Sequence, residues 1–239
     1  MGYSDFDKRM KKYEEVYRQK VVPHIPIIIR IDGKNFKSYT GQCVKPFDAG
    51  LSEAFQQATR ALAKRIGGFN LAYGQSDEIS IVIYNPDTRT QEYFDGKVFK
   101  LCSVIASMFT VDFNNNCYRA LVDKAIFDCR VFQLPLCEVT NYFIWRQQDA
   151  TRNSIQMVGQ ANFSHKQLKG KSCTDIQDML FKEKGINWND ETIANKRGWC
   201  CYDEKIDMDI PIFTQDKNYI ESKLISAEDS PTHIGVKEE

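Results

Sequence analysis

Pro26-Ile27-Ile28-Ile29-Arg30-Ile31-Asp32-Gly33-Lys34-Asn35-Phe36 decides how this chain folds. The first half is short, β-branched and bounded by Pro and Gly, as buried strands are. After it come a carboxylate, a glycine that lets the backbone turn sharply, and main-chain N–H groups at Lys34, Asn35 and Phe36 that can face an anion. Asp-Gly is also a common turn dipeptide, so this stretch alone is compatible with an ordinary β-turn. A second stretch, Tyr73-Gly74-Gln75-Ser76-Asp77-Glu78, shifts the balance by offering two more carboxylates at the start of another strand.

The segments around these two predict the topology. Asp48 can cap a helix whose Leu51, Ala54, Phe55, Ala58, Leu62 and Ile66 form one apolar stripe, stopped by Gly67-Gly68. Runs 69–73 and 79–84 flank a hairpin turn, a second long helix covers about 94–113, and 125–132 alternates as a strand. The order β-α-β-β-α-β is the split βαβ, or ferredoxin-like, unit of the α+β class: a four-stranded antiparallel sheet with both helices on one face. Strands one and three are central neighbours in that unit. Asp32, Asp77 and Glu78 are therefore expected to converge at one sheet edge.

Ser4 can cap a charged helix over about 5–20, and Pro135 suits the first turn of a helix over 136–161 that carries Trp145-Arg146-Gln147-Gln148-Asp149. Ser172 with Asp175 resembles a capping box for a helix ended by Gly185. Strand-like runs follow at 198–203, 209–214 and 217–224. The division expected is a first domain with its N-terminal helix over 1–134, a mixed helical and β extension packed on it over 135–225, and a disordered tail over 226–239.

Composition narrows the function. The 32 basic and 32 acidic side chains cancel, so any nucleic-acid contact must rest on a local patch. Eight cysteines form no Cys-x-x-Cys pair, which argues against structural zinc, and three scattered histidines argue against a histidine-based triad. No signal peptide and no apolar run near 18 residues is visible, so the expectation is a cytoplasmic protein with reduced thiols and no membrane span.

Catalysis then falls to carboxylates. Mg²⁺ takes oxygen ligands and usually retains waters and substrate phosphates, so Asp32, Asp77, Glu78 and the Gly33 carbonyl suffice for a pair of ions holding a nucleoside triphosphate. Lys45, Lys97 and Lys100 are candidate phosphate partners, although exposed helix charge is an equally good reading of each. Arg146, Arg152 and Asn153 are candidate RNA contacts, with surface pairing as the alternative. Phe36 and Tyr73 could stack on a base, while core packing is the commoner fate of such side chains.

Arg30-Ile-Asp-Gly-Lys-Asn-Phe36, Lys45-Pro-Phe-Asp48, Ala72-Tyr-Gly-Gln-Ser-Asp-Glu78 and Trp145-Arg-Gln-Gln-Asp149, in that order, resemble the tRNA-His guanylyltransferase superfamily over about residues 4–225. The resemblance implies a palm domain that adds nucleotides to an RNA 5′ end in the 3′-to-5′ direction. It implies two Mg²⁺ on Asp32, the Gly33 carbonyl and Asp77 with support from Glu78. Residues Asp32, Gly33, Lys34, Asn35, Phe36, Lys37 and Ser76 would contact the triphosphate, and Lys45, Lys97 and Lys100 its phosphates. ATP and GTP or other nucleoside triphosphates would be substrates, tRNA the partner, and a homotetramer the assembly. Eukaryotic-type members carry His-Ile-Asn-Asn-Leu-Tyr where this chain reads Thr151-Arg152-Asn153-Ser154-Ile155-Gln156. That departure resembles the guanylyltransferase-like proteins, and the reading favoured by sequence is templated repair of 5′-truncated tRNA, with addition of the extra 5′ G to tRNA-His as the alternative. Two rivals use the same element order: a palm-type nucleotide cyclase, and an RNA-binding module of the RRM type that acts through sheet aromatics without metals.

Overall fold

Strand β1 (Ile27–Gly33) is buried on both faces: Ile27, Ile29 and Ile31 enter one apolar core and Ile28 another, each no more than 1% exposed. Burying an isoleucine contributes about 1.5–3 kcal/mol, so these four side chains make β1 the anchor of the sheet. The computed structural model describes residues 4–117 and 124–224. In chain order they form α1 (Asp5–Glu15), β1, the one-turn α2 (Phe36–Tyr39), α3 (Ala49–Ala63), β2 (Phe69–Gln75), β3 (Glu78–Ile83), α4 (Val98–Asn116) and β4 (Phe127–Gln133). There follow α5 (Leu136–Asn162), α6 (His165–Leu168), α7 (Cys173–Lys184), α8 (Ile193–Arg197), β5 (Trp199–Tyr202), β6 (Lys205–Asp207) and α9 (Asn218–Leu224).

The sheet is antiparallel with order β4-β1-β3-β2-β5-β6. Its first four strands with α3 and α4 are the expected βαββαβ unit, and both helices share one face through Phe55, Leu62, Ile105, Phe109 and Phe113. Two strands more than that unit provides extend it, because β5 pairs with β2 across Ala72–Cys201 and Gly74–Trp199. Gly198 makes this junction possible: its φ is +85°, and a Cβ there would stand 2.6 Å from the Gly74 carbonyl. The opposite face is closed by α5 and α9 through Val139, Tyr142, Phe143, Ile220 and Leu224.

Caps follow the sequence. Asp48 accepts from the Leu51 N–H, Ser172 and Asp175 form a reciprocal capping box, and Gly185 closes α7 in the left-handed region at φ 66°. Several expected boundaries shift. α1 ends at Glu15 rather than near 20, and α3 ends at Ala63, short of Gly67-Gly68. α4 starts at Val98 because Phe94 and Asp95 take positive φ of 53° and 56° just before it.

Two strand expectations are wrong. Run 217–224 contains helix α9, whose Ile220 and Leu224 are buried one turn apart. Run 209–214 is no strand: Gln147 donates to the Pro211 carbonyl and accepts from the Phe213 N–H, both at 2.8 Å, so one buried amide replaces a strand partner. The tail expectation for 226–239 lies outside the described residues.

Candidate active site

The sheet register builds the site. Asp32 of β1 is directly opposite Glu78 of β3, and the Gly33 N–H donates to the Asp77 carbonyl at 3.1 Å, which ties the strand end to the hairpin turn. That turn holds two residues, Ser76 and Asp77, between the paired Gln75 and Glu78. Ser76 sits at φ 56°, a conformation that costs a non-glycine residue about 1–2 kcal/mol. Strain of this kind persists where the surroundings hold it in place. Gly33 is equally constrained, since a Cβ there would stand 2.6 Å from Phe36 Cγ.

These residues form the floor of a cavity of about 490 Å³, lined by Asp32, Lys37, Ser76, Asp77 and Glu78 from the sheet side. Its other wall is a polar stripe on α5: Arg146, Asp149, Asn153, Gln156 and Gln160, spaced three and four residues apart and hence on one helix face. Burial pushes the Asp77 carboxyl above its ordinary range, against hydrogen bonds from its own backbone and from Ser76, and the Asp32 charge pushes it further. Burial likewise raises Glu78, opposed by Arg146 and Arg30.

Glu78 is held from the α5 side. Arg146 Nη2 donates to Glu78 Oε2 and to Asp149 Oδ2, both at 3.0 Å, and Nε stands 2.7 Å from Glu78 Oε1 with its N–H out of line. Arg30 Nε lies 3.9 Å from Glu78 Oε2. Beneath them Ser80 Oγ and the Tyr142 hydroxyl share a buried hydrogen bond of 2.8 Å.

Asp32, Asp77 and Glu78 thus meet at one cavity, as the strand order leads one to expect. Among the described residues no group of three His, Cys, Asp or Glu is placed to hold an ion, and Glu78 is paired with two arginines. What remains is Asp32, Asp77 and the Gly33 carbonyl, a set of hard oxygen donors carrying two negative charges. It fits Mg²⁺, whose charge would relieve the repulsion between Asp32 and a partly buried Asp77.

Other sequence-predicted residues divide. Lys37 lines the cavity. Lys45 lines an adjoining cavity of about 550 Å³ that shares Gln75, Ser76 and Met157 with the first. The Lys34 amide is already bonded to the Ile126 carbonyl at 2.9 Å, and Asn35 takes φ 54° to lead into α2. Phe36 and Tyr73, each 3% exposed, are core residues and not stacking platforms; the Tyr73 hydroxyl donates to the Arg197 carbonyl.

Lys97 and Lys100 are not brought to the site within one chain. They stand at the start of α4, whose far end carries Phe113 against Phe36, so at 1.5 Å per residue Lys97 is about 24 Å along the helix from that contact. Arg146 is engaged in ion pairs with only 11% of its side chain exposed, not free on the surface. Arg152 is exposed and pairs with Asp149 at 2.6 Å, while Asn153 faces the cavity. Sequence reading missed Arg30, Ser80, Tyr142, Asp149, Gln156 and Gln160. The three-and-four spacing from Arg146 to Gln160, and the two-residue step from Arg30 to Asp32, were the available signals.

Residues 7–135, more than half of the chain, match the sequence profile described as Thg1, tRNAHis guanylyltransferase. The chain belongs to this family. In agreement, the tRNA(His) guanylyltransferase of Schizosaccharomyces pombe is 30% identical over 214 residues, 84% of this chain and 81% of its own. Family members are nucleotidyltransferases, and solved structures share the fold. A bacterial tRNA(His) guanylyltransferase (Thg1)-like protein in complex with ATP superposes with TM-score 0.89 at 49% identity, covering 92% of this chain and 99% of that one. A second solved structure of a bacterial tRNA(His) guanylyltransferase (Thg1)-like protein, in complex with GTP, gives TM-score 0.79 at 40% identity over the same shares.

Proposed function

We propose that this chain adds a nucleotide to the 5′ end of a tRNA, with guanylyl addition to tRNA-His as the first reading. The observation that carries it is the Gly33–Asp77 main-chain hydrogen bond, which sets Asp32 and Asp77 side by side in the floor of a cavity walled by the polar stripe of α5. The names of the curated relatives support the choice of RNA.

In this proposal the 5′-phosphate of the RNA attacks the α-phosphorus of ATP and displaces pyrophosphate. The 3′-hydroxyl of GTP then attacks the activated 5′-phosphorus, and AMP leaves. Asp32, Asp77 and the Gly33 carbonyl would hold Mg²⁺, which when bound supplies charge neutralisation at the reacting phosphates. Lys37 and the Ser76 hydroxyl line the cavity where they can bind triphosphate oxygens, and Lys45 contributes from the adjoining one. Arg146 fixes Glu78 as a rigid anionic wall. Asn153, Gln156 and Gln160 offer neutral donors and acceptors to the RNA end.

A second reading, templated repair of 5′-truncated tRNAs of several identities, rests on Thr151-Arg152 standing where eukaryotic-type members carry His-Ile. Incubation with tRNA-His transcripts lacking the extra G, and with truncated tRNAs of other identities, ranks the two. Extension confined to tRNA-His supports the first reading; comparable extension of all the truncated tRNAs supports repair; extension of none sinks both.

A further inference from the structure

Helix α5 borders another cavity on the side turned away from the catalytic one. It measures about 700 Å³, and Trp145, Gln148, Thr151 and Arg152 of α5 line it together with Trp188 and Lys196. At about 3.6 residues per turn, Gln148 and Thr151 lie on the helix side away from Arg146 and Asn153, so the thickness of α5, about 10–12 Å, separates the two cavities. A charged ridge joins them. Arg146 Nη2 donates to Asp149 at 3.0 Å and Arg152 Nη2 donates to the same carboxylate at 2.6 Å, which carries the polar surface round α5 from the catalytic wall to the groove.

The groove's chemistry suits unpaired nucleotides. Arg152, Lys196 and Arg197 line it, and among the described residues no carboxylate does, whereas the catalytic cavity carries Asp32, Asp77, Glu78 and Asp149. In a chain of formal net charge +0 this is the local basic patch that a nucleic-acid contact requires. Trp145, 49% exposed, is backed by the Arg146 guanidinium 4.5 Å from its ring centre, and half-buried Trp188 is fixed by its Nε1 donating to Ser154 Oγ at 3.0 Å. Lys196 stands 6.0 Å from the Trp188 ring centre and uses one of its donors on the Asn189 carbonyl at 2.6 Å. Indoles beside cations stack single-stranded bases and neutralise their phosphates, and stacking accepts any base. A proline-rich peptide also docks in aromatic grooves, but it brings no negative charge to meet these cations.

We propose that this groove holds the unpaired 3′ extension of the RNA whose 5′ end occupies the catalytic cavity, an inference that rests on the RNA reading above. Where the reacting group is the 5′ end of a duplex, the opposite strand ends beside it, and nucleotides continuing past the last pair emerge next to α5. Paired bases are already stacked on one another and have no use for the indoles. The groove therefore selects RNA ends whose opposite strand overhangs.

Fluorescence anisotropy with no nucleoside triphosphate present, so that no transfer occurs, tests this. Two RNA hairpins share one 5′-monophosphorylated stem; one is blunt, and the other has a short unpaired 3′ extension. The extended hairpin is expected to bind at least about 10-fold more tightly. Trp145→Leu should abolish that preference and Trp145→Phe should keep it, with the blunt hairpin bound alike by both. Arg152→Gln/Lys196→Gln, which spares the rings, should reduce the slope of log K against log salt by about 1.4 for the extended hairpin only, as expected for two single-strand phosphates. Equal wild-type affinity for the two hairpins, or a preference that survives Trp145→Leu, would overturn the proposal while leaving 5′ addition, read from RNA length, untouched. Loss of the preference on adding AMP or CMP would assign the groove to a free nucleotide, and loss on adding a proline-rich peptide to a protein; either result overturns the proposal.

Discussion

Replacing Gly33 with alanine should damage activity far more than stability. A Cβ at position 33 would stand 2.6 Å from Phe36 Cγ and 2.7 Å from Cε2, where carbon atoms at rest are about 3.5–4.0 Å apart. Ring or strand end must therefore give by about 1 Å. The ring is clamped: Phe36 is 3% exposed and packs against Tyr39, Phe55, Phe113 and Phe127 at centroid distances of 4.7, 5.7, 5.9 and 5.2 Å. The strand end therefore moves, taking with it Asp32 and the Gly33 N–H bonded to Asp77. Overpacking of this kind costs about 1–3 kcal/mol, but a 1 Å displacement of reacting groups costs about 100-fold in rate. Urea unfolding and a single-turnover 5′-addition assay measure the two separately. Phe36→Leu in the Gly33→Ala background should recover part of the stability, and Gly41→Ala, where a Cβ meets nothing within 4 Å, should be neutral in both assays. If Gly33→Ala behaves like Gly41→Ala, the packing argument for the strand end is refuted.

Arg146→Ala should lower stability by about 1–3 kcal/mol in urea unfolding, because it leaves a partly buried Glu78 without its main partner, and Glu78→Gln added to it should recover much of that loss. Since Asp77 titrates above the ordinary carboxylate range in the fold, the folded state binds its proton more readily than the unfolded one. Its effect on stability therefore worsens as pH rises from the ordinary carboxylate value through the raised one, and is complete above it. Asp77→Asn should flatten that part of the pH–stability curve and raise the melting temperature at pH 7, while 5′ addition falls by at least about 100-fold; Glu78 titrates in the same direction, so some slope should remain. Ser172→Ala removes the hydroxyl of the α7 capping box and should cost about 1 kcal/mol with kcat unchanged.

The βαββαβ unit was legible because each signal was local and agreed with its neighbours. Ile27 to Ile31 between Pro26 and Gly33, Asp48 ahead of an apolar stripe, and Ser172 with Asp175 all encode their elements within a few residues. Asp32 and Asp77 were legible for the same reason, as the strand order alone makes them neighbours. Long-range pairing was not legible. Nothing local reveals that Arg146 reaches Glu78, or that Gln147 satisfies the backbone at Pro211 and Phe213; both depend on where α5 crosses the sheet. The distance of Lys97 and Lys100 from the cavity within one chain was not legible either, because charge on a helix gives its face but not which end of the sheet it starts from. Run 217–224 looked like a strand because Tyr219 and Ile220 favour strands locally, while the packing of Ile220 and Leu224 against the sheet selects the helix.

The central claim is that Asp32 and Asp77 serve nucleotide addition to a tRNA 5′ end, and it can be tested in one reaction. tRNA bearing a ³²P-labelled 5′-monophosphate is incubated with Mg²⁺, ATP, GTP and either the wild-type protein or Asp77→Asn, then treated with phosphatase. Addition turns the labelled phosphate into an internal diester, so the account predicts a phosphatase-resistant label in RNA at least one nucleotide longer with the wild type and neither with the variant. RNA of unchanged length and a fully phosphatase-sensitive label with the wild-type protein, across tRNA-His and truncated tRNAs alike, would contradict it.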